Sequence, residues 1–369
     1  MSLPEMPKPW TLILAVGDGD PNRRVGGLSL ALRLALDAQR GGATSLVIEG
    51  ADVAQLHELR DARLHLARLD AAPANQAAVV VPAHALLHRQ SFALLALDQA
   101  EAGTRRTLAA LAPNSEVPYW FDPILVSDGP SASHAEGLLF RSLRKREDGW
   151  TSRWLNRYIS LSISRFLAKT TLQPNHLSVA ILAIGLLGAY LATRGSYSMM
   201  LWGAFLFQMQ SVLDGCDGEL SRVTHRGSYL GEWLDTVGDD LTNYSFFAGA
   251  SIGLYRQSSS PLFLVAGGVV VLSGLLTSGL EYRYLLSIHS GDLLKYPLSQ
   301  ATTNQSGAFG AIAPLFKRDT FVFLTLLAAA ANLLAVTLVA FAVAALGILI
   351  SVLATERRLL HERKAKRVA

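Results

Sequence analysis

Six stretches in the second half of this chain are nearly free of charge: residues 176–193, 197–213, 241–255, 261–280, 320–334 and 335–354. A helix that crosses a bilayer needs about 20 mostly apolar residues, and each stretch reaches that length once its polar ends are counted. The spacing predicts six membrane-spanning helices. The last two abut near Asn332, so a tight turn and one long broken helix both fit. Half of all residues are hydrophobic and 17% are charged. Soluble domains carry roughly 25% charged residues, so a disordered or highly solvated chain is excluded.

The positions of Lys and Arg set the orientation. With both termini in the cytosol, the inner loops hold Arg222, Arg226, Arg283, Lys295, Lys317 and Arg318, and the tail adds Arg357, Arg358, Arg363, Lys364, Lys366 and Arg367. The outer loops hold Arg194 and Arg256, as the positive-inside bias requires. The expectation is a multi-pass protein of the inner (cell) membrane. Residues 1–9 lack the basic start and apolar core of a signal peptide, which agrees with a cytosolic beginning. Lys and Arg number 33 against 29 Asp and Glu, too slight an excess for nucleic-acid binding across the chain. The one cysteine, Cys216, makes neither an internal disulfide nor a Cys-based zinc site.

The first half has a different texture. Thr11–Val16, Thr44–Ile48 and Ala77–Val81 have the length and β-branching of buried strands, and Leu28–Gln39 has apolar residues at helical spacing before Gly41-Gly42. Strand, helix, strand implies a parallel α/β sheet. Phe121–Ser127 reads as a later strand and Ala135–Arg144 as a closing helix. The composition shifts near Asp148, which predicts a cytosolic α/β domain over 1–147 and an all-α membrane domain over 148–369. The second domain opens with Thr151–Lys169, where Arg153, Arg157, Arg165 and Lys169 accompany Trp154, Tyr158, Ile159 and Phe166. That pattern predicts an amphipathic helix lying at the membrane surface.

Ionisable residues deep in apolar segments are costly and usually functional. Asp214, Asp217 and Ser221 fall on one helical face, and Asp235 and Asp239 stack one turn apart. Two antiparallel helices would aim four carboxylates at one point. Mutual repulsion calls for one or two divalent cations, and hard oxygen ligands favour magnesium, manganese or calcium over zinc. Magnesium in such a site bridges carboxylates and phosphates, and Arg222 adds a cation suited to phosphate oxygens. Gly215, Gly218 and Ser221 keep one helix face small, with room for a ligand. Together these residues point to phosphoryl chemistry.

The run Asp214-x2-Asp217-Gly218-x2-Ser221-Arg222-x8-Gly231-x3-Asp235-x3-Asp239 resembles the motif of the CDP-alcohol phosphotransferase family, with Ser221 where the family has alanine. The resemblance covers about Asp148 to Thr355. It implies a six-helix membrane enzyme, commonly a homodimer, that displaces CMP from a CDP-linked alcohol in phospholipid or polar-lipid synthesis. By position it implies that Asp214, Asp217, Asp235 and Asp239 hold magnesium or manganese, as two ions in the family's manner, and that Asp239 is also the general base. Gly218, Ser221, Arg222 and Gly231 would line the nucleotide site. The partners so implied are a CDP-alcohol donor, CDP-diacylglycerol or CDP-inositol, an alcohol acceptor and membrane lipids, with no nucleic acid.

Around this core, Asn175 reads as the N-cap of the first span. Arg153, Arg157 and Arg165 face either lipid or an acceptor phosphate, and Cys216 and His225 carry no special role. In the first half, Leu14–Arg24 with Gly17 and Gly19 resembles the phosphate loop of sugar-nucleotide nucleotidyltransferases. The lysine and strand-end aspartate of active relatives are missing from Val25–Leu28 and Val79–Ala83, so the resemblance implies a degenerate, non-catalytic domain. Members of the membrane family with a cytidylyltransferase domain make CDP-inositol for a di-inositol phosphate product, which is a further reading. A divalent-cation transporter and a membrane scaffold are the competing classes.

Overall fold

A computed structural model describes residues 9–50, 55–88, 91–92, 104–107, 124–144, 148–299 and 317–368, with side chains in the last helix described to residue 359. The chain divides into two compact units. One comprises Met1–Leu143, Ala168–Thr170 and Val223–His225, and the other Arg144–Leu167, Thr171–Arg222 and Arg226–Ala369.

Along the first unit run β1 (Trp10–Ala15), β2 (Arg24–Val25), β3 (Leu28–Ser29), α1 (Leu30–Arg40), β4 (Ala43–Glu49) and β5 (Ala67–Arg68). There follow β6 (Ala77–Pro82), β7 (Ala85–Leu86), β8 (Arg105–Thr107), β9 (Ile124–Leu125) and α2 (Gly129–Arg141). Strands pair in the order β5-β4-β1-β6-β8, every neighbour parallel. Leu12 and Leu14 pack with Leu34, Ala35 and Ala38 of α1, whereas Ile13 packs with Val47 and Val80 on the other face. Both faces are covered, which is why these strands read as unbroken apolar runs.

The expected strand Phe121–Ser127 is narrower: Ile124–Leu125 pairs antiparallel with Ala85–Leu86, and residues 121–123 lie outside the described residues. The closing helix starts earlier than expected, at Gly129. A capping box sets that start: Ser131 N donates to Asp128 Oδ1 at 2.8 Å and Asp128 N to Ser131 Oγ at 3.0 Å, with a proline in the first turn.

The second unit is helical. A π-helical stretch, Ser152–Asn156, leads into α3 (Arg157–Leu167). Then come α4 (Pro174–Ala192), α5 (Tyr197–Thr224), α6 (Tyr229–Ser258), α7 (Pro261–Ser287), α8 (Arg318–Ala330) and α9 (Leu334–Val368). A helix stands at each of the six apolar stretches. Three of them, Pro174–Ala192, Pro261–Ser287 and Leu334–Leu359, are long and apolar enough to cross a membrane. Helices α5 and α6 are longer than α4, at 28 and 30 residues, but carry the acids.

Neighbouring helices approach through small residues, as in lipid-embedded bundles. A Cβ on Gly249 of α6 would lie 2.2 Å from the Ala189 carbonyl oxygen of α4, and one on Gly188 would lie 2.8 Å from that of Gly203. Phe207 of α5 stacks on Phe246 of α6 at 4.3 Å between ring centroids. The junction near Asn332 is a tight turn. Asn332 is left-handed (φ 58°), Leu333 N donates to Ala328 O at 2.7 Å, and Phe321 of α8 meets Phe341 of α9 at 5.2 Å.

Candidate active site

Helices α5 and α6 run antiparallel, and Ser228 caps α6 by accepting from Gly231 N at 3.0 Å. Periodicity then places Asp214 and Asp217 on one face of α5 and Asp235 and Asp239 on the opposing face of α6. All four line one open cleft. Ser178 of α4, Gln210 of α5 and Gly238 of α6 complete its polar wall, and Ile181, Leu182 and Leu234 supply an apolar side. Asp217 accepts hydrogen bonds from Ser178 Oγ and, at 2.5 Å, from Gly218 N.

Arg318, the first residue of α8, completes this constellation. Sequence reasoning counted it as an inner-loop charge, but its guanidinium bridges two of the carboxylates. Nη1 lies 2.8 Å from Asp239 Oδ1 and 3.3 Å from Asp214 Oδ2. Nη2 donates to Gln210 Oε1 at 2.6 Å and Nε to Asn243 Oδ1 at 3.2 Å. In this arrangement no group of three His, Cys, Asp or Glu among the described residues is gathered to hold a metal ion. The donor set nevertheless fits a hard divalent cation. Four carboxylates face one cleft, and one guanidinium offsets only part of their charge.

The residues expected at a nucleotide come together in part. A Cβ on Gly218 would lie 3.3 Å from Arg222 Nη1, so the arginine folds along the face that glycine leaves open. Ser221 Oγ donates to Gly218 O at 3.1 Å, which turns its hydroxyl toward its own helix. Gly231 is accounted for by its neighbours: its N–H is used in the cap, and a Cβ there would lie 2.9 Å from Asn175 Oδ1. Asn175 is not the N-cap of α4. Gln173 holds that position without a side-chain bond, and Pro174 opens the helix.

Gly215 faces α3, where a Cβ would meet Arg157 Nη1 at 3.2 Å, so its smallness serves helix packing. Arg157 is 7% exposed and fully engaged: Nη1 donates to Glu219 Oε1 at 2.5 Å, and Nε and Nη2 donate to Asp148 at 2.9 and 2.7 Å. Glu219 also accepts from Ser160 and Ser164 at 2.8 and 2.7 Å. These bonds take Arg157 out of consideration for an acceptor phosphate and fix α3 against the motif helix. Cys216 is fully buried within the same contact.

In the first unit, the loop after β1 turns on itself. Asp20 Oδ1 accepts from Asn22 N at 2.9 Å, and Asn22 Nδ2 reaches Gln55 O at 3.0 Å. A Cβ on Gly19 would sit 2.2 Å from the His84 ring, which packs against the loop. The stretch where active relatives carry a lysine is a β2–β3 hairpin, with Gly26 and Gly27 both at positive φ.

The family description "CDP-alcohol phosphatidyltransferase" matches residues 171–353. A bifunctional IPC transferase and DIPP synthase of Aquifex aeolicus is 31% identical over 155 residues, 40% of this chain and 35% of that protein. Proteins of the same name from Archaeoglobus fulgidus and Thermococcus kodakarensis are 30% and 31% identical, covering 41% and 40% of this chain and 30% and 32% of theirs. The match thus spans about a third of the length of these relatives. The crystal structure of Mycobacterium tuberculosis phosphatidylinositol phosphate synthase with CDP-DAG bound overlaps 54% of this chain and 93% of that one, at 18% identity and a TM-score of 0.42. Residues 171–353, from just before α4 into α9, thus form a CDP-alcohol phosphatidyltransferase domain.

Proposed function

We propose that the chain is an integral-membrane enzyme that transfers a phosphoalcohol group from a CDP-alcohol to an acceptor hydroxyl and releases CMP. The observation that carries this reading is the convergence of Asp214, Asp217, Asp235 and Asp239 on one cleft. These four carboxylates would hold magnesium or manganese, which when bound offsets phosphate charge. Asp239 takes the proton of the acceptor hydroxyl, whose oxygen attacks the phosphorus bearing the donor alcohol as CMP departs. Gly218 and Ser221 leave space for the nucleotide, and Arg222 supplies charge to its phosphates. Positioning and charge offset carry most of the acceleration.

The same reading takes all six helices as spans, α3 as a membrane-surface helix, and both termini and the cleft on the cytoplasmic side of the inner membrane. It takes the first unit as non-catalytic, its loop after β1 being occupied by contacts to its own residues and His84. The protein works as a homodimer in phospholipid or polar-lipid synthesis. The names of the similar proteins favour an inositol-phosphate type of donor over CDP-diacylglycerol. A cation-transport role is disfavoured because the four acids crowd one cleft rather than lining a path along the helices.

The test is CMP release by purified protein with magnesium. CDP-inositol and CDP-diacylglycerol are offered in turn against inositol phosphate, glycerol phosphate and serine. Acceptor-dependent CMP identifies the substrate pair. Silence across the panel with manganese still bound removes this donor class.

A further inference from the structure

We propose that Arg318 is an internal counter-cation that competes with the divalent metal for Asp214 and Asp239, so that the metal site assembles only as this guanidinium leaves. The inference rests on the metal-holding role proposed for the cleft. The geometry is that of an occupied cation position. Nη1 lies between carboxylates of two different helices, at 2.8 Å from Asp239 and 3.3 Å from Asp214. The other nitrogens are held by Gln210 at 2.6 Å and Asn243 at 3.2 Å, each four positions, about one helical turn, from one of those acids.

Arginine keeps its charge in proteins, so this cation is not removed by losing a proton. Magnesium binds carboxylate oxygens at about 2.0–2.1 Å, and would take from Arg318 the oxygens it now holds. The two cations would stand within one ligand shell of each other, and their repulsion makes occupancy exclusive. The same contacts staple α8 to α5 and α6. Metal entry therefore loosens the start of α8 as it fills the cleft.

The measurement is a manganese titration followed by electron paramagnetic resonance on the full chain in detergent, without nucleotide. Arg318→Gln is expected to bind manganese more tightly than the unaltered protein, by a factor on the order of 5–150, the usual size of coupling between two sites. Arg318→Lys keeps the charge and is expected to stay near the unaltered value. In thermal unfolding, Arg318→Gln gains more from saturating manganese than the unaltered protein does. Asn243→Ala, which removes an acceptor of Arg318 and no charge, shifts affinity in the same direction and serves if Arg318→Gln does not fold. Equal or weaker binding in the folded variants overturns the competition and leaves the phosphotransferase reading standing. No manganese bound by any form, the unaltered protein included, overturns both.

Discussion

Asp239 stands where two demands meet: it pairs with Arg318 at 2.8 Å, and it lines the cleft in which the proposed reaction takes a proton from an acceptor hydroxyl. Replacing its carboxylate by an amide keeps the shape and removes the basicity. Asp239→Asn is therefore expected to lower kcat for CMP release by about 10²–10⁴-fold, the usual contribution of a positioned base, with unfolding temperature little changed. Glu219 is the opposite case, an acid two residues past Asp217 that never faces the cleft. Its side chain is wholly buried and satisfied by Arg157, Ser160 and Ser164. Glu219→Ala leaves a buried guanidinium short of a partner and is expected to cost about 3–5 kcal/mol, read as a lowered unfolding temperature in detergent. Sequence distinguished these acids only where spacing carries information. The turns between Asp214, Asp217, Asp235 and Asp239 are local, and helical geometry converts them directly into shared faces. Arg318 lies 104 residues from Asp214, and no periodicity links them. Its charge had a sufficient explanation as a topology signal, and Ser178 and Gln210 gave no signal at all.

At the scale of elements, the apolar runs specified helices and strands well because burial on all sides leaves a long unbroken pattern. Elements of two residues, β2, β3, β5, β7 and β9, carry too few positions to show one. Helix packing was not legible in the sequence, where glycines on the motif helix read as room for a ligand. The structure separates glycines that matter from those that do not: a Cβ on Gly249 would collide with the backbone oxygen of Ala189, whereas one on Gly268 of α7 meets nothing within 4 Å. Gly249→Ala is expected to destabilise by about 1–3 kcal/mol, as overpacking does, while Gly268→Ala is neutral or better. A thermal-shift comparison of the two decides it. In the first unit, Glu58 ties a 3-10 turn (His57–Arg60) to the β2–β3 hairpin through Ser29 N at 3.1 Å and through Arg24. Partial burial pushes its carboxyl up, but hydrogen bonds from Ser29 and Arg24 outweigh that and hold it below the ordinary value. A lowered folded pKa contributes stability above the unfolded value near 4.3, lost as pH falls through the folded one. The stability gap between the unaltered protein and Glu58→Gln is expected to be full at neutral pH and to close in acid, as denaturant titration at each pH reads out.

For the whole molecule, the depth of the acids along α5 and α6 bears on which helices cross the bilayer. At 1.5 Å per residue, Asp214 lies about 26 Å along α5 from Tyr197, and Asp239 about 29 Å along α6 from Ser258. Both distances match the roughly 30 Å hydrocarbon thickness, so crossing helices α5 and α6 would bring the acids out at one membrane edge. That agrees with six crossings, in which the turn at Gly227 and the turn after Gln257 lie on opposite sides. Crossing by the three most apolar helices alone would leave those two turns on the same side and the termini on different ones. The buried Cys216 is the one native cysteine, so introduced thiols report cleanly. With a membrane-impermeant maleimide on intact cells, Gln257→Cys is expected to label and Gly227→Cys to label only after permeabilisation. A C-terminal tag is expected to stay protected from added protease. Equal labelling at the two positions would reduce the crossings to three and remove the cleft from the membrane edge.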